Sequence, residues 1–238
     1  MLAQPVRKTI AIAGASGAVG NKLAEIFAEQ GHSIVLLFRG DRHAQNLASQ
    51  FAKYGEACSL VQADLTNTSQ VEHGLQAPIK KFGRIDVLVN ASGGWLGGKR
   101  LHEHSLDDVQ AVINMDLLPS FVLMRAVLPA MVKQKSGRII HFSALSALAS
   151  GANSAVYAAS KTAVLKLVEA AAEEYRADGI QICAIAPSVI DTDNNRNMMP
   201  DANHSSWVSM AEIIETVEFL IENNSTLSGS LFKLGGRK

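Results

Sequence analysis

Apolar runs of strand length alternate with segments of helical periodicity along the whole chain. The apolar runs lie at residues 8–14, 32–38, 58–65, 84–94, 137–142, 180–187 and 229–236. The helix-periodic segments lie at residues 20–31, 41–55, 69–83, 105–137, 153–179 and 209–223. Strands that are apolar on both sides are buried on both faces of a sheet, and helical connections make successive strands parallel. We therefore predict a single α/β domain over residues 1–238, with about seven strands in a doubly wound parallel sheet and helices on both faces.

Composition excludes several classes of partner. Lys plus Arg and Asp plus Glu each number 22, so the formal net charge is zero. Without an excess of positive charge, we predict neither nucleic acid nor membrane as a partner. We expect that no apolar run reaches transmembrane length, and residues 1–14 lack the pattern of a signal peptide, so we expect a cytoplasmic protein. Cys58 and Cys183 fall in apolar runs and are expected to be buried reduced thiols, and no clustered ligand residues predict a metal site.

Three glycines separate the first predicted strand from the first predicted helix. Gly14, Gly17 and Gly20 lie in the sequence IAIAGASGAVGNKLA. Glycine permits a tight turn and a close approach of the backbone to a pyrophosphate, and the helix N-terminus behind the turn favours negative charge. The context predicts a dinucleotide-binding turn in a Rossmann-like sheet.

The end of the second predicted strand indicates which dinucleotide is bound. A carboxylate at this point would bond the adenosine ribose and repel a 2′-phosphate. The chain instead has Phe38 followed by Arg39, with Arg42 close by. A guanidinium binds phosphate with paired hydrogen bonds, so the sequence favours NADP(H), with NAD(H) possible.

Tyr157 and Lys161 lie four residues apart in a predicted helix, on one face and one turn from each other. A free phenol has a pKa near 10 and is a poor acid catalyst at neutral pH. A neighbouring ammonium lowers that pKa by Coulomb attraction. The pair is therefore a candidate general acid with its electrostatic activator.

Taken together, these residues resemble the short-chain dehydrogenase/reductase family over essentially the whole chain. Further matches are Asp64, Asn90 at the start of an Asn-Asn-Ala-Gly motif, Asn114 in VINMDLLPSF and residues 187–192, with Ala91 and Ser188 departing from the pattern. The resemblance implies hydride transfer with Tyr157, Lys161 and Asn114 as the catalytic residues. It implies a cofactor site formed by Gly14, Ser16, Gly17, Val19, Gly20, Arg39, Asp64, Leu65, Asn90, Ala91, Gly93, Tyr157, Lys161, Pro187, Val189, Ile190 and Thr192.

A narrower resemblance is to the dihydropteridine reductases and to related bacterial reductases of the same family. It rests on GGWLGG at residues 93–98, on residues 195–207 and on Ala18, where many members have glycine. One feature departs from this group: Phe38 and Arg39 favour NADPH, whereas dihydropteridine reductases typically have an aspartate there and prefer NADH.

Ala144 occupies the position where the family has a serine, thirteen residues before the tyrosine. Loss of one such hydroxyl donor typically costs about 10²–10³ in rate. Side chains alternate between the two faces of an extended strand, so Ser143 points to the face opposite Ala144. Ser146 points to the same face as Ala144 only if the strand continues that far. Two interpretations stay open: Ser146 replaces the donor, or it makes a local turn bond.

A conjugated acceptor relaxes the need for that donor, because the arriving charge spreads over ring nitrogens and a carbonyl. The resemblance therefore favours quinonoid dihydropteridine as substrate, with Trp95 and Trp207 stacking on the ring, or else packing as ordinary core residues. The rival functions are a generic carbonyl or 3-oxoacyl reductase and a non-catalytic nucleotide-binding sensor. A substrate loop is predicted at about residues 188–208. The family also implies a homodimer or homotetramer through the two long central helices, whose apolar residues include Leu117, Leu118, Phe121, Val164 and Leu167.

Overall fold

Seven parallel strands form one sheet in the computed structural model, which describes residues 7–222 and 227–236. The strands are β1 (Thr9–Ala13), β2 (Ser33–Phe38), β3 (Cys58–Gln62), β4 (Val87–Asn90), β5 (Gly137–Phe142), β6 (Ile180–Pro187) and β7 (Leu231–Leu234). The helices are α1 (Ala18–Glu29), α2 (Asp41–Phe51), α3 (Thr68–Phe82), α4 (Leu106–Val112), α5 (Leu118–Gln134), α6 (Ala155–Glu174), α7 (Asp193–Met198) and α8 (Met210–Glu222). The predicted doubly wound α/β fold is confirmed.

The strand order is β3-β2-β1-β4-β5-β6-β7, so the direction of winding reverses between β1 and β4. At this point β1 pairs with β4 up to Ala13 and Asn90, their last residues. A crevice opens beyond the carboxyl ends of two strands whose connections leave in opposite directions. The glycine turn after β1 and the loop after β4 both begin at this crevice.

Each face of the sheet packs against its own layer of helices. Ile10 and Ile12 of β1 join one core cluster with α1, α2 and α8, whereas Ala11 and Ala13 join the other with α3, α5 and α6. Successive strand residues point to opposite faces, so both sets are buried at once. This explains why the strands are apolar throughout instead of alternating.

The segment predicted as one helix at residues 105–137 is not a uniform α-helix. α4 runs into a π-helical turn at Ile113–Leu117 and then into α5. Such turns insert an extra residue into a helix and often lie at functional sites. By length and composition Leu106–Gln134 could span a membrane, so the expectation that no run reaches that length is wrong. Half of its most apolar window is buried in the protein, as in a core helix.

Both cysteines carry free thiols, but only one is fully buried. Cys183 is buried and Cys58 is half-buried, so the expectation of burial is correct for the first alone. Cys58 lies on β3, at the edge of the sheet, where one side has no neighbouring strand. Burial raises the pKa of each thiol to about 11, so both stay protonated at neutral pH.

Leu123 of α5 is fully buried, whereas Leu106 at the start of α4 is 86% exposed. We predict that Leu123→Ala lowers the free energy of unfolding by about 3 kcal/mol, because it leaves a cavity between α5 and the sheet. Leu106→Ala, the matched control, should change it by less than about 0.5 kcal/mol. Urea unfolding at equal protein concentrations measures both, and equal losses would contradict the packing described.

Candidate active site

The glycine turn packs directly against the loop that follows β4. A Cβ on Gly14, where φ is +76°, would lie 2.8 Å from the carbonyl carbon and oxygen of Ala91. A Cβ on Gly20 would overlap the Gly14 carbonyl oxygen. The Gly17 N–H donates to that same oxygen at 2.9 Å. Side chains are therefore excluded from Gly14 by contact and by conformation, and from Gly20 by contact alone.

The first turn of α1 faces the same crevice. α1 begins after Gly17, and no side chain caps its N-terminus. Ser16 and Gly17 are exposed and Val19 is half-exposed. Backbone N–H groups in this position, with the positive end of the helix dipole, suit a phosphate group.

A cleft of about 420 Å³ lies at the ends of β2 and β3. Its lining residues are Arg39, Gly40, Gln62, Ala63, Asp64 and Gln70. The Asp64 carboxylate accepts hydrogen bonds from the Thr66 N–H and hydroxyl, at 2.9 and 2.8 Å, and these bonds lower its pKa. Leu65, the next residue, is half-buried. The cleft thus brings the predicted arginine and aspartate together.

Asn90 is buried and its amide connects three elements. Its Nδ2 donates to the Ser120 hydroxyl of α5 at 3.2 Å and lies 3.1 Å from His141 Nδ1 of β5. Its Oδ1 accepts from the N–H and hydroxyl of Ser92. The side chain is thus occupied within the protein, and Asn90 contributes to the site by holding the end of β4 in place.

His141 is fully buried and uncharged. Burial, with a smaller effect from the positive charge of Lys161, lowers its pKa to about 3. Since Asn90 Nδ2 is a donor, His141 Nδ1 is assigned as the acceptor, which leaves the proton on Nε2.

Lys161 of α6 lies beneath the Tyr157 ring and against a carboxylate. Its Nζ is 5.8 Å from the centre of the Tyr157 ring and 2.9 Å from Asp116 Oδ1. Its ammonium also donates to the Phe142 carbonyl oxygen at 3.3 Å. Asp116 Oδ2 accepts from the Ser160 hydroxyl at 2.7 Å. The two charged side chains are almost completely buried, at 5% and 0% exposed.

Tyr157 has a strongly raised pKa. Burial raises the pKa of the phenol above its ordinary value, and the negative charge of Asp116 raises it further. The spacing in the sequence predicts that Lys161 lowers the pKa of Tyr157, but that prediction does not include the Asp116 carboxylate, which contacts Lys161. With Asp116 in contact, Lys161 no longer presents an isolated positive charge.

Asn114 is not brought to this site. It is exposed, and its Oδ1 accepts from Gln110 Nε2 at 2.9 Å, one turn earlier on the outer face of the helix. Asp116, two residues later in the π-helical turn, faces Lys161 instead. Asp116 is the one charged residue between residues 109 and 124, a signal that could have identified it as a buried functional group.

The segment after β5 separates the two candidate serines. The Ser143 hydroxyl donates to the Lys161 backbone carbonyl oxygen at 2.9 Å, so it faces α6 and is already bonded within the protein. Ala144 is extended and 8% exposed, and a 3₁₀ turn begins at Leu145. Because the strand ends here, the alternation of side chains along a strand does not determine which way Ser146 points. Its hydroxyl is buried and has no hydrogen-bond partner within residues 7–222 and 227–236.

The two tryptophans have different environments. The Trp95 ring is 4.6 Å from that of Tyr157 in an edge-on arrangement, and the residue is 52% exposed. The Gly98 N–H donates to the Asn153 carbonyl oxygen at 2.8 Å, which ties the Trp95 loop to the segment before α6. Trp207 is 8% exposed and packs 4.4 Å from the ring of His204. Trp95 thus lines the site, whereas Trp207 is packed into its own loop.

The predicted substrate loop is more ordered than its sequence indicated. It contains α7 and a 3₁₀ turn at His204–Ser206, and a bridge joins Ile190 to Val208. Thr192 Oγ1 accepts from the Asn195 N–H and caps α7. Pro187 is buried at the end of β6, and Val189, Ile190 and Thr192 are half-buried after it. In the described ranges, no group of three or more His, Cys, Asp or Glu side chains could hold a metal ion.

Gly93 lies over the Asp116–Lys161 pair, with φ at +137°, and a Cβ there would be 2.9 Å from both Oδ1 and Nζ. We predict that Gly93→Ala lowers NADPH turnover about tenfold or more, because the methyl group would separate the charges. Gly98→Ala is the matched control, since Gly98 also has positive φ, +89°, but nothing lies within 4 Å of its Cβ. Equal turnover by the two variants would contradict the close contact.

Known proteins resemble the chain over most of its length. The family model described as short chain dehydrogenase matches residues 8–203. The uncharacterized oxidoreductase YxjF of Bacillus subtilis (strain 168) is 30% identical over 215 residues, which cover 90% of this chain and 83% of that protein. An uncharacterized oxidoreductase of Staphylococcus epidermidis, SERP2049, is 29% identical over 191 residues, which cover 80% of this chain and 81% of that protein.

Two solved structures resemble the fold closely. The structure of ElxO with NADP bound has a TM-score of 0.89 and 27% identity, and the match covers 96% of this chain and 97% of that chain. A gluconate 5-dehydrogenase from Burkholderia cenocepacia J2315, in complex with NADP and tartrate, has a TM-score of 0.87 and 26% identity, with 96% and 94% covered. The protein is an oxidoreductase of the short-chain dehydrogenase/reductase family.

Proposed function

We propose that the protein is an NADP(H)-dependent reductase of a small conjugated acceptor, with quinonoid dihydropteridine as the first substrate to test. The observation that carries this proposal is Ala144 just after β5, which stands thirteen residues before Tyr157, where the family has a serine hydroxyl. An acceptor that spreads its new charge over a ring needs this donor less than a simple ketone does. The edge-on packing of Trp95 against Tyr157 supports a flat substrate.

The residues at the crevice fit a phosphorylated dinucleotide. Gly14 and Gly20 leave room for its pyrophosphate near the N-terminus of α1, and Arg39 offers a guanidinium at the end of β2. ElxO and the gluconate 5-dehydrogenase, whose structures contain NADP, support this choice of cofactor. When bound, NADPH supplies a hydride to the acceptor.

The protein's own residues supply the proton and the surroundings. Tyr157 carries a proton on its phenol at neutral pH, and its raised pKa extends this protonation to alkaline pH. Lys161 and Asp116 hold the base of the site, and Ala144 presents a small apolar surface. The Trp95 ring packs edge-on against the Tyr157 ring and covers part of it.

A generic carbonyl or 3-oxoacyl reductase is the second candidate, and the Ser146 hydroxyl favours it. This hydroxyl is buried without a hydrogen-bond partner in the described part of the chain. A buried donor without a partner is costly and often serves a ligand. In that case Ser146 replaces the donor that Ala144 lacks.

We also propose that the protein is cytoplasmic and assembles as a homodimer or homotetramer through α5 and α6. An apolar groove of about 540 Å³ between these helices supports this surface, with Phe121, Leu128 and Leu167 among its lining residues. Phe121 is 49% exposed, which suits an interface. Val164, expected at this surface, is instead buried in the protein and cannot contribute to it.

A substrate panel separates the two candidate functions. We expect NADPH-dependent turnover of quinonoid dihydropteridine and little turnover of simple ketones or 3-oxoacyl thioesters, with NADH less effective. Tyr157→Phe should lower kcat about 100-fold, because the proton donor is removed. Ser146→Ala should leave pterin reduction unchanged. Rapid ketone turnover that falls about tenfold or more in Ser146→Ala would reject the pterin proposal and support the second candidate.

Arg39→Ser tests the cofactor. Loss of the guanidinium should raise the KM for NADPH about tenfold or more and leave that for NADH nearly unchanged, since only NADPH carries the 2′-phosphate. Arg176→Ser, which removes an arginine paired with Glu173 on the surface, serves as the control. An equal rise in the KM for NADPH and for NADH would show that Arg39 does not bind the 2′-phosphate.

A further inference from the structure

The buried contact between Asp116 and Lys161 brings opposite charges to the base of the active site. The two side chains are 2.9 Å apart and nearly inaccessible to water. Charges this close cancel each other's field at a distance, whereas an unpaired ammonium in a dry site acts strongly on its neighbours. The ring centre of Tyr157 is 5.8 Å from Lys161 Nζ. The phenol is therefore influenced by a neutral ion pair and not by an isolated positive charge.

The contact is built by several elements and is not a chance approach of two flexible side chains. The π-helical turn carries Asp116, and the Ser160 hydroxyl of α6 fixes its second oxygen at 2.7 Å. The Phe142 carbonyl oxygen of β5 accepts from Lys161. The glycine backbone at Gly93 leaves room above the pair that a side chain would fill.

We propose that Asp116 is a positioning residue that neutralises Lys161 and thereby keeps Tyr157 protonated, so that the reductive kcat persists to alkaline pH and the phenolate that oxidation needs does not form over that range. This inference deepens the proposed function and rests on its reductive direction. In the reductive step the Tyr157 O–H bond breaks, and its proton goes to the acceptor that has received the hydride from NADPH. The phenolate that remains takes a proton from water.

The titratable groups around Tyr157 and the buried ion pair come from three elements. Asp116 lies in the π-helical turn, Lys161 on α6 and His141 on β5, where burial keeps the imidazole neutral. Burial and the charge of Asp116 both raise the pKa of the phenol. A group that must be protonated for reduction loses activity as the pH rises through its pKa, so a raised pKa moves that loss to higher pH. Oxidation needs the phenolate and is suppressed over the same range.

The test measures Tyr157 ionisation directly and needs no substrate. The chain has three tyrosines, so labelling with ¹³Cζ-tyrosine gives few NMR signals, and Tyr157→Phe assigns the one of interest. We expect the wild-type Tyr157 signal to show no ionisation up to pH 10, with or without NADPH. Ionisation below about pH 9, under the ordinary phenol value, would overturn the inference by itself, even if no variant folds.

Asp116→Asn removes the charge and keeps the shape. It should lower the pH at which Tyr157 ionises by about one unit or more, which is about tenfold in the ionisation equilibrium. Asp107→Asn, an exposed carboxylate on α4, is the matched control and should cause no shift. Ser160→Ala, which removes a hydrogen bond but keeps the charge, should shift it less than Asp116→Asn. An unchanged titration in folded Asp116→Asn would overturn the inference.

Kinetics supply the second measurement, with whichever acceptor the panel identifies. In Asp116→Asn the alkaline loss of reductive kcat should begin about one pH unit lower or more, and the rise of the oxidative kcat with pH should begin lower by a similar amount. A uniform fall in both directions, with no change in either pH profile, would mean a merely structural role. Failure of quinonoid dihydropteridine as a substrate would reject the proposed function, but it would leave the NMR result on Asp116 intact.

Discussion

A buried ion pair at the centre of the molecule determines how the rest of the site is arranged. Placing Asp116 and Lys161 out of water costs several kcal/mol for each charge, and only close mutual contact with further hydrogen bonds offsets this. These stabilising contacts form only if three elements that are distant in the chain lie together, namely the π-helical turn, α6 and the end of β5. The loop after β4 must also pass close above the pair, which is why glycine stands at residue 93.

The same requirement explains the irregular helix. A continuous α-helix from residue 105 to 137 would keep the same i to i−4 backbone hydrogen bonds along its whole length. The π-helical turn at Ile113–Leu117 instead accommodates one extra residue. Asp116 lies in that turn and faces inward, while Asn114 faces outward toward Gln110. The apolar character of the rest of the helix then serves the core, with Leu123 and Met131 packed under the sheet.

Much of the fold could be predicted from the periodicity of apolar residues and from composition, because each strand is buried on both faces and each helix has one apolar side. The glycine turn and the cleft at Arg39 were predictable for a similar reason, since local sequence determines both. The role given to Asn114 came from a match to a family motif, whereas the π-helical turn places Asp116, two residues later, against Lys161. Trp207 and Ser146 depended on how a loop folds, which long-range packing decides and local sequence does not.

The two tryptophans have a practical value that follows from their different surroundings. Trp207 is enclosed by protein, so its fluorescence should respond little to what enters the crevice. Trp95 is half-exposed and lies against the tyrosine that transfers the proton. Its emission overlaps the absorption of reduced nicotinamide, and its indole would be quenched by an aromatic ring stacked on it. The chain therefore contains an optical reporter of its own active site, through which compounds can be screened for binding before any turnover is known.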